Sequence, residues 1–327
     1  MHLRFLRHVI LSIASALSVS ANGDLLLVMG APGEADYLAP FQRTTDTWID
    51  AGDLAGLDVH TIGAAIKAKT DTATTTPSLR DELRDWLAAQ PTSGTAPLWF
   101  VYIGHGTFDG RIAKLNLRGP DVSSTELREW LAPFSRPMVI VHGGSASAPF
   151  VNALSAPNRI VISATENANE INYARFGERF AKAVADPQAD IDRDGQTSVL
   201  EAFIFAANET ELFYDENGRL STEHALIDDN GDGRGTPFDW FNGTRLIKKA
   251  RQPTDSPDGK RAKLISLIPS LDEQNLTDDQ RKTRDELEAK VEQLRLQKET
   301  METDDYYTQL ELLFRQLSQI YRPKDSG

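Results

Sequence analysis

Five apolar runs of strand length recur along the chain: Leu25 to Met29, Leu57 to Ile62, Leu98 to Ile103, Met138 to Val141 and Ile160 to Ser163. Several are continuous rather than alternating. A strand with one wet face alternates apolar and polar residues, so unbroken runs require burial on both faces, as in a parallel sheet covered by helices. Stretches with helical spacing stand between them, such as Leu79 to Leu87, and Thr125 to Leu131 behind Ser123 and Ser124 as N-caps. Strand and helix alternate, which predicts the α/β class, a mostly parallel sheet flanked by helices. With 40% hydrophobic residues the chain can bury such a core.

The first seven residues carry Arg4 and Arg7 and no acid, an apolar run extends from Val9 to Leu17, and Val19-Ser20-Ala21 closes it as a small-x-small cleavage pattern. Residues 1–21 therefore read as a secretory signal peptide. The run is well short of the roughly 20 apolar residues that span a bilayer, so no membrane span is expected after cleavage. Export to a periplasm or the extracellular space is the expected outcome. The net charge of −13 argues against nucleic acid, because phosphate binding needs a basic face. The chain has no cysteine, which excludes disulfides, thiolate metal sites and thiol chemistry.

Beyond the strands, Phe176, Phe180 and Val184 share one helical face, and Leu200 to Ala207 reads as a second helix. Residues 22–250 form the predicted α/β domain. Residues 251–269 read as a linker, because Gln252 to Lys260 is rich in Pro, Asp, Ser and Gly. Residues 270–322 read as a helical hairpin: Ser270 and Glu273 make a capping box, with two heptad-like seams after it. The first runs through Leu287, Val291, Leu294 and Met301, the second through Tyr306, Leu310, Leu313, Leu317 and Ile320. The hairpin packs on its own domain or mediates self-association.

Between the helices around Phe180 and Leu200 lies an acidic loop, residues 190–201. Asp190, Asp192 and Asp194 alternate, Gly195 takes the sharp turn, Gln196 offers a backbone carbonyl, Ser198 can act through water, and Glu201 closes the loop. That is the EF-hand ligand pattern, and it predicts Ca2+, a hard cation that takes six to eight oxygens. A second loop, residues 228–239, places Asp228, Asn230, Asp232 and Asp239 at ligand-like positions. Asp239 is shorter than the usual glutamate and Pro237 interrupts the helix expected after the loop. This loop therefore either binds calcium in another geometry or forms an Asx-rich turn.

Two predicted strands run into small-residue turns that carry histidines. Trp99 to Ile103 enters Gly104-His105-Gly106, and Met138 to Val141 enters His142-Gly143-Gly144-Ser145-Ala146-Ser147. Carboxyl ends of strands are where open α/β sheets place their sites. From about Asp24 to Thr165 the chain resembles the clan of legumain-like and caspase-like cysteine peptidases. The resemblance implies that His105 is the general base, that Gly106 lends its N–H to an oxyanion hole, and that the nucleophile falls at Gly144 or Ser145. Neither is a cysteine.

A serine hydroxyl needs a histidine within hydrogen-bond reach, itself held by a third group, and the sequence names no third group. The favoured expectation is an inactive, calcium-binding pseudopeptidase acting as a binding or assembly module, with a protein or peptide at the strand-end crevice. The alternatives are an active hydrolase using Ser145 and His105, and a purely structural calcium-stabilised protein. Asp109, Arg111, Lys114, Glu166, Asn167, Asn169 and Glu170 would surround the crevice mouth, either to recognise a ligand or as ordinary surface charge.

Overall fold

The computed structural model describes residues 23–64, 77–248 and 257–321. The signal-peptide reading of residues 1–21 and the first part of the expected linker lie outside the described residues. In chain order the elements begin β1 (Asp24–Met29), α1 (Ala35–Ala55), β2 (Asp58–Ile62), α2 (Leu79–Ala89) and β3 (Leu98–Ile103). Three short strands come next, β4 (Gly106–Phe108), β5 (Ala113–Leu115) and β6 (Val122–Ser123), then α3 (Ser124–Leu131), β7 (Met138–His142), α4 (Ala148–Leu154) and β8 (Arg159–Ser163). After these stand α5 (Phe176–Ala183), α6 (Val199–Glu216), β9 (Leu226–Asp228), β10 (Thr236–Pro237), β11 (Phe241–Asn242) and β12 (Arg245–Leu246). The last elements are α7 (Leu271–Gln274), α8 (Asp278–Leu296) and α9 (Thr303–Ile320).

The main sheet has the order β10-β9-β8-β7-β3-β1-β2. Strands β2, β1, β3, β7 and β8 are parallel, and β9 and β10 extend the edge antiparallel. This is the mostly parallel α/β sheet expected from the unbroken apolar runs. Successive side chains point to opposite faces. On one face Leu25, Leu27 and Met29 join Trp48, Phe176, Phe180 and Phe203 from α1, α5 and α6. On the other, Leu26 and Val28 join Leu83, Leu127 and Phe150 from α2, α3 and α4. Each such buried side chain contributes about 1.5–3 kcal/mol of transfer free energy.

Residues 257–269 are not a free linker. Asp258, Ala262 and Leu267 are buried. The Ile265 and Ala262 carbonyls accept from the Val199 (2.7 Å) and Leu200 (3.0 Å) N–H groups, which are otherwise orphaned at the start of α6. Asp229 accepts from the N–H groups of Gly259 (2.9 Å) and Ala262 (2.7 Å), and Asp258 accepts in return from those of Asp229 (3.0 Å) and Asn230 (3.2 Å). Helices α8 and α9 then pack on each other, with Leu287, Val291, Leu294 and Tyr306 buried. Among the described residues no helix is long and apolar enough to cross a membrane.

At the amino ends of the strands, Arg136 and Asp24 form an ion pair at 2.7 Å with side chains only 3% and 13% exposed. Removing one member of a buried pair leaves the other charge uncompensated. Asp24→Asn is expected to lower the unfolding free energy by about 3–5 kcal/mol, read as a reduced urea midpoint, with Asp24→Leu/Arg136→Met recovering much of the loss.

Candidate functional site

Strands β3 and β7 are neighbours, with Tyr102 beside His142, so their terminal turns meet at one end of the sheet. The buried Tyr102 hydroxyl lies 2.8 Å from the His105 carbonyl and 3.0 Å from the Asn116 carbonyl, and fixes the first turn. The two turns expected to form a site are thus brought together. Their side chains do not form an open catalytic crevice.

The His105 ring is half-buried, with Tyr37 at 4.7 Å, Phe41 at 5.2 Å and Tyr173 at 6.4 Å between ring centroids. This burial lowers its pKa from the ordinary histidine value. The space left beside it is about 20 Å³, enough for a single water. Ser145 is 2% exposed, and its hydroxyl is turned to the Gly106 carbonyl at 3.4 Å. Gly144 has no room for a side chain, since a Cβ there would collide with the Gly104 carbonyl oxygen. Of the two positions the resemblance offered for a nucleophile, only Ser145 can carry one.

A Cβ on Gly106 would likewise collide with the Ser145 carbonyl oxygen, and Gly143 meets Gly177 at the start of α5, so the glycines serve backbone-to-backbone contact across the crevice. The other hydroxyl of this turn, Ser147, accepts from the Ala164 (3.0 Å) and Thr165 (3.1 Å) N–H groups, while Thr165 Oγ1 accepts from the Ser147 N–H (2.9 Å). It is a splice between the ends of β7 and β8. Sequence reading missed Tyr37, Phe41 and Tyr173. The apolar Tyr37 and Phe41 with Trp48 form a helical stripe that could have revealed α1, although nothing in it pointed to His105.

His142 is buried between Tyr102 and Phe150, at ring distances of 4.8 Å each. Its Nδ1 accepts from the Gly144 N–H at 3.2 Å, which assigns the ring proton to Nε2, and Nε2 has no partner. Burial pushes its pKa down to about 3. The ring is a neutral core group that sets the Gly143-Gly144 turn.

In the first acidic loop Asp190, Asp192 and Asp194 each bring one carboxylate oxygen to within 4.8 Å of the others. Asp190 also accepts from the Asp194 (3.2 Å) and Gly195 (3.0 Å) N–H groups, folding the loop inward through Arg193 and Gly195 at positive φ of 60° and 90°. Burial first, and then the charges of Asp192 and Asp190, push the Asp194 carboxyl up. A cation would relieve this repulsion, so the donor set fits calcium. Lys263 Nζ reaches Asp192 at 3.8 Å.

Glu201 departs from the expected bidentate role. Oε1 accepts from the N–H groups of Ile191 (2.9 Å) and Asp192 (3.0 Å), and Oε2 from Ser198 N–H (2.9 Å) and Oγ (2.7 Å), a capping box at the start of α6. Ser198 is thereby the N-cap, and the Gln196 side chain accepts from Ser270 N–H at 3.1 Å. In the second loop Asp228, Asn230 and Asp232 accept from the Gly231 (3.0 Å), Asp232 (2.8 Å) and Arg234 (2.8 Å) N–H groups, a chain of Asx turns, and Asp239 is ion-paired with Lys248.

The fold and this strand-end arrangement define an α/β protein with a closed His–Ser crevice. No family model matches the chain, and no curated protein does. Among solved structures it is similar to the initiator caspase Dronc of Drosophila, at 15% identity and a TM-score of 0.43, covering 68% of this chain and 84% of that one. Caspase-1 of Spodoptera frugiperda matches at 11% identity and a TM-score of 0.39, covering 71% and 96%. Raptor of Chaetomium thermophilum matches at 9% and 0.34, covering 51% and 18%. Likenesses this distant transfer no residue roles.

The buried His142 has a pH consequence. Its folded pKa, about 3, lies below the ordinary unfolded value of 6.5, so the folded state binds fewer protons between these values. Its contribution is present above pH 6.5 and is lost as pH falls toward 3, at up to about 1.4 kcal/mol per pH unit. His142→Asn keeps an acceptor for Gly144 without titrating. Urea unfolding of this variant is expected to lose less stability than the wild type between pH 6.5 and 4.5, and parallel losses would refute the assignment.

Proposed function

We propose that this chain is an exported protein whose legumain- and caspase-like α/β domain has lost peptidase chemistry, is stapled by calcium at residues 190–201, and serves as a binding or assembly module. The observation that carries the loss of chemistry is Ser145. Of the two positions the resemblance offers, Ser145 alone has room for a side chain; it is buried, and its hydroxyl faces the Gly106 carbonyl. A hydroxyl without a base contributes little nucleophilic catalysis. The His105 ring packs among aromatic side chains, and burial lowers its pKa from the ordinary histidine value.

The closed crevice also favours a second reading, a mainly structural calcium protein. A peptide would have to displace Tyr37 and Tyr173 to enter, because the remaining space takes one water. Partner contact then belongs to the outer surface. On α9 the exposed Tyr307 and Phe314, seven residues apart and so on one side of the helix, offer an apolar stripe for self-association.

Calcium would supply the positive charge that the three converging aspartates lack, and Asp190, Asp192 and Asp194 would hold it. In calorimetry one tight equivalent of calcium is expected, lost in Asp190→Asn/Asp192→Asn. At a hundredfold excess over Kd the ion should stabilise the fold by about 2.7 kcal/mol, seen as a chelator-sensitive rise in Tm.

The test of lost chemistry uses the mature protein, calcium-loaded, with fluorogenic peptides and esters and a serine-reactive phosphonate. No turnover and no label at Ser145 are expected, and Ser145→Cys should react sluggishly with thiol reagents because the site is closed. Turnover abolished by both His105→Ala and Ser145→Ala would establish the serine hydrolase instead.

A further inference from the structure

A second cluster of ligating side chains lies apart from the aspartates of residues 190–201. Strands β8 and β9 pair, with Ser163 beside Leu226, so the loop after β8 and the segment before β9 are held at the same end of the sheet. That juxtaposition gathers Glu166, Glu170 and His224, each offering one ligand atom within 4.8 Å of the others. The Glu170 side chain is 11% exposed and is fixed by its acceptor bonds from the N–H groups of Glu166 (2.8 Å) and His224 (3.3 Å). His224 Nδ1 contacts Glu170 Oε1 and lies 4.0 Å from Glu166 Oε1.

Beside the cluster is a cavity of about 280 Å³ lined in part by Glu166, His224, Glu223, Asp239, Phe176 and Phe238. Its charged lining is acidic, which favours a cation, while the aromatic floor could seat a small organic group. One imidazole and two carboxylates make a mixed nitrogen and oxygen donor set. Hard calcium takes oxygen ligands, whereas zinc-class ions take imidazole nitrogen readily. Three protein ligands with a free coordination position also mark the reactive kind of zinc site rather than the closed structural kind.

We propose that Glu166, Glu170 and His224 bind one divalent transition-metal ion of the zinc class, its open coordination position available to water or a small neutral ligand from the adjoining cavity. The site shares no residue with the loop at 190–201 and does not depend on the calcium reading there. The test is titration of the mature full chain, already saturated with calcium, with Co2+ and Zn2+ by calorimetry and, for Co2+, visible absorption. One saturable equivalent is expected, with nitrogen-sensitive Co2+ bands. Its affinity should fall at least about tenfold in His224→Ala and Glu170→Gln, and stay unchanged in Asp190→Asn/Asp192→Asn. His224 is half-exposed and outside the core, so its alanine variant should fold, and circular dichroism checks this. No saturable binding in the wild type, or equal binding in folded His224→Ala, overturns the proposal.

Discussion

Buried backbone N–H groups must find acceptors, and in this chain ionisable carboxyl groups supply them at several places where regular structure stops. Glu201 gathers Ile191, Asp192 and Ser198. Glu223 accepts from the Arg175 (2.7 Å) and Phe176 (2.9 Å) N–H groups and from the Tyr214 hydroxyl (2.9 Å), anchoring the start of α5 to the approach to β9. Asp229 and Asp258 clamp two loops reciprocally. Burial pushes all four upward, Asp258 to about 8 with the nearby Asp229 and Asp228 charges adding to it. Each is tolerated because a carboxylate accepting several N–H bonds regains much of what it loses on leaving water. A chain without cysteine cannot fix its long loops with disulfides, and these carboxylates do that work through hydrogen bonds.

The sheet was legible because its signal is local. Each of the five core strands lies within a residue or two of its apolar run, and the capping box at Ser123 sits at the start of α3. Helix α1 was harder to read, since Pro40 and scattered threonines interrupt the stripe of Tyr37, Phe41 and Trp48, although Thr44 and Thr45 bond back to the carbonyls of Pro40 and Phe41. The placing of His105 and Ser145 at adjacent strand ends was readable from the turns. The closure of the crevice was not, because it depends on Tyr173, which reaches His105 from far along the chain. Residues 257–269 misled for a related reason. Their Pro, Asp and Gly content describes irregular backbone, and irregular backbone can still be buried when a carboxylate such as Asp229 receives it.

The strand ends show how small residues bring two turns into close backbone contact. A nucleophile needs space around it for a substrate carbonyl and a base at hydrogen-bond distance. Here the same small residues that would give a substrate close approach let the turns touch one another. Gly144 is pressed to Gly104, Gly106 to Ser145, and Gly143 to Gly177. The turns are held together by main-chain contact, and the space beside them is narrowed by Tyr37, Phe41 and Tyr173 around the imidazole of His105.

The segment that returns to the domain after residue 256 also sets when the molecule can be finished. Residues 259–265 supply the groups that satisfy Asp229, Val199 and Leu200, each buried, and Asp258 is needed by the turn at Asn230. During synthesis the sheet strands through β9 emerge before any of these partners exist. A nascent chain that stops short of Leu267 therefore carries the whole sheet and an unsealed edge beside it. The true end of the folding unit lies past the compositional boundary, and the helical hairpin hangs from the last stitch of the domain rather than from a tether.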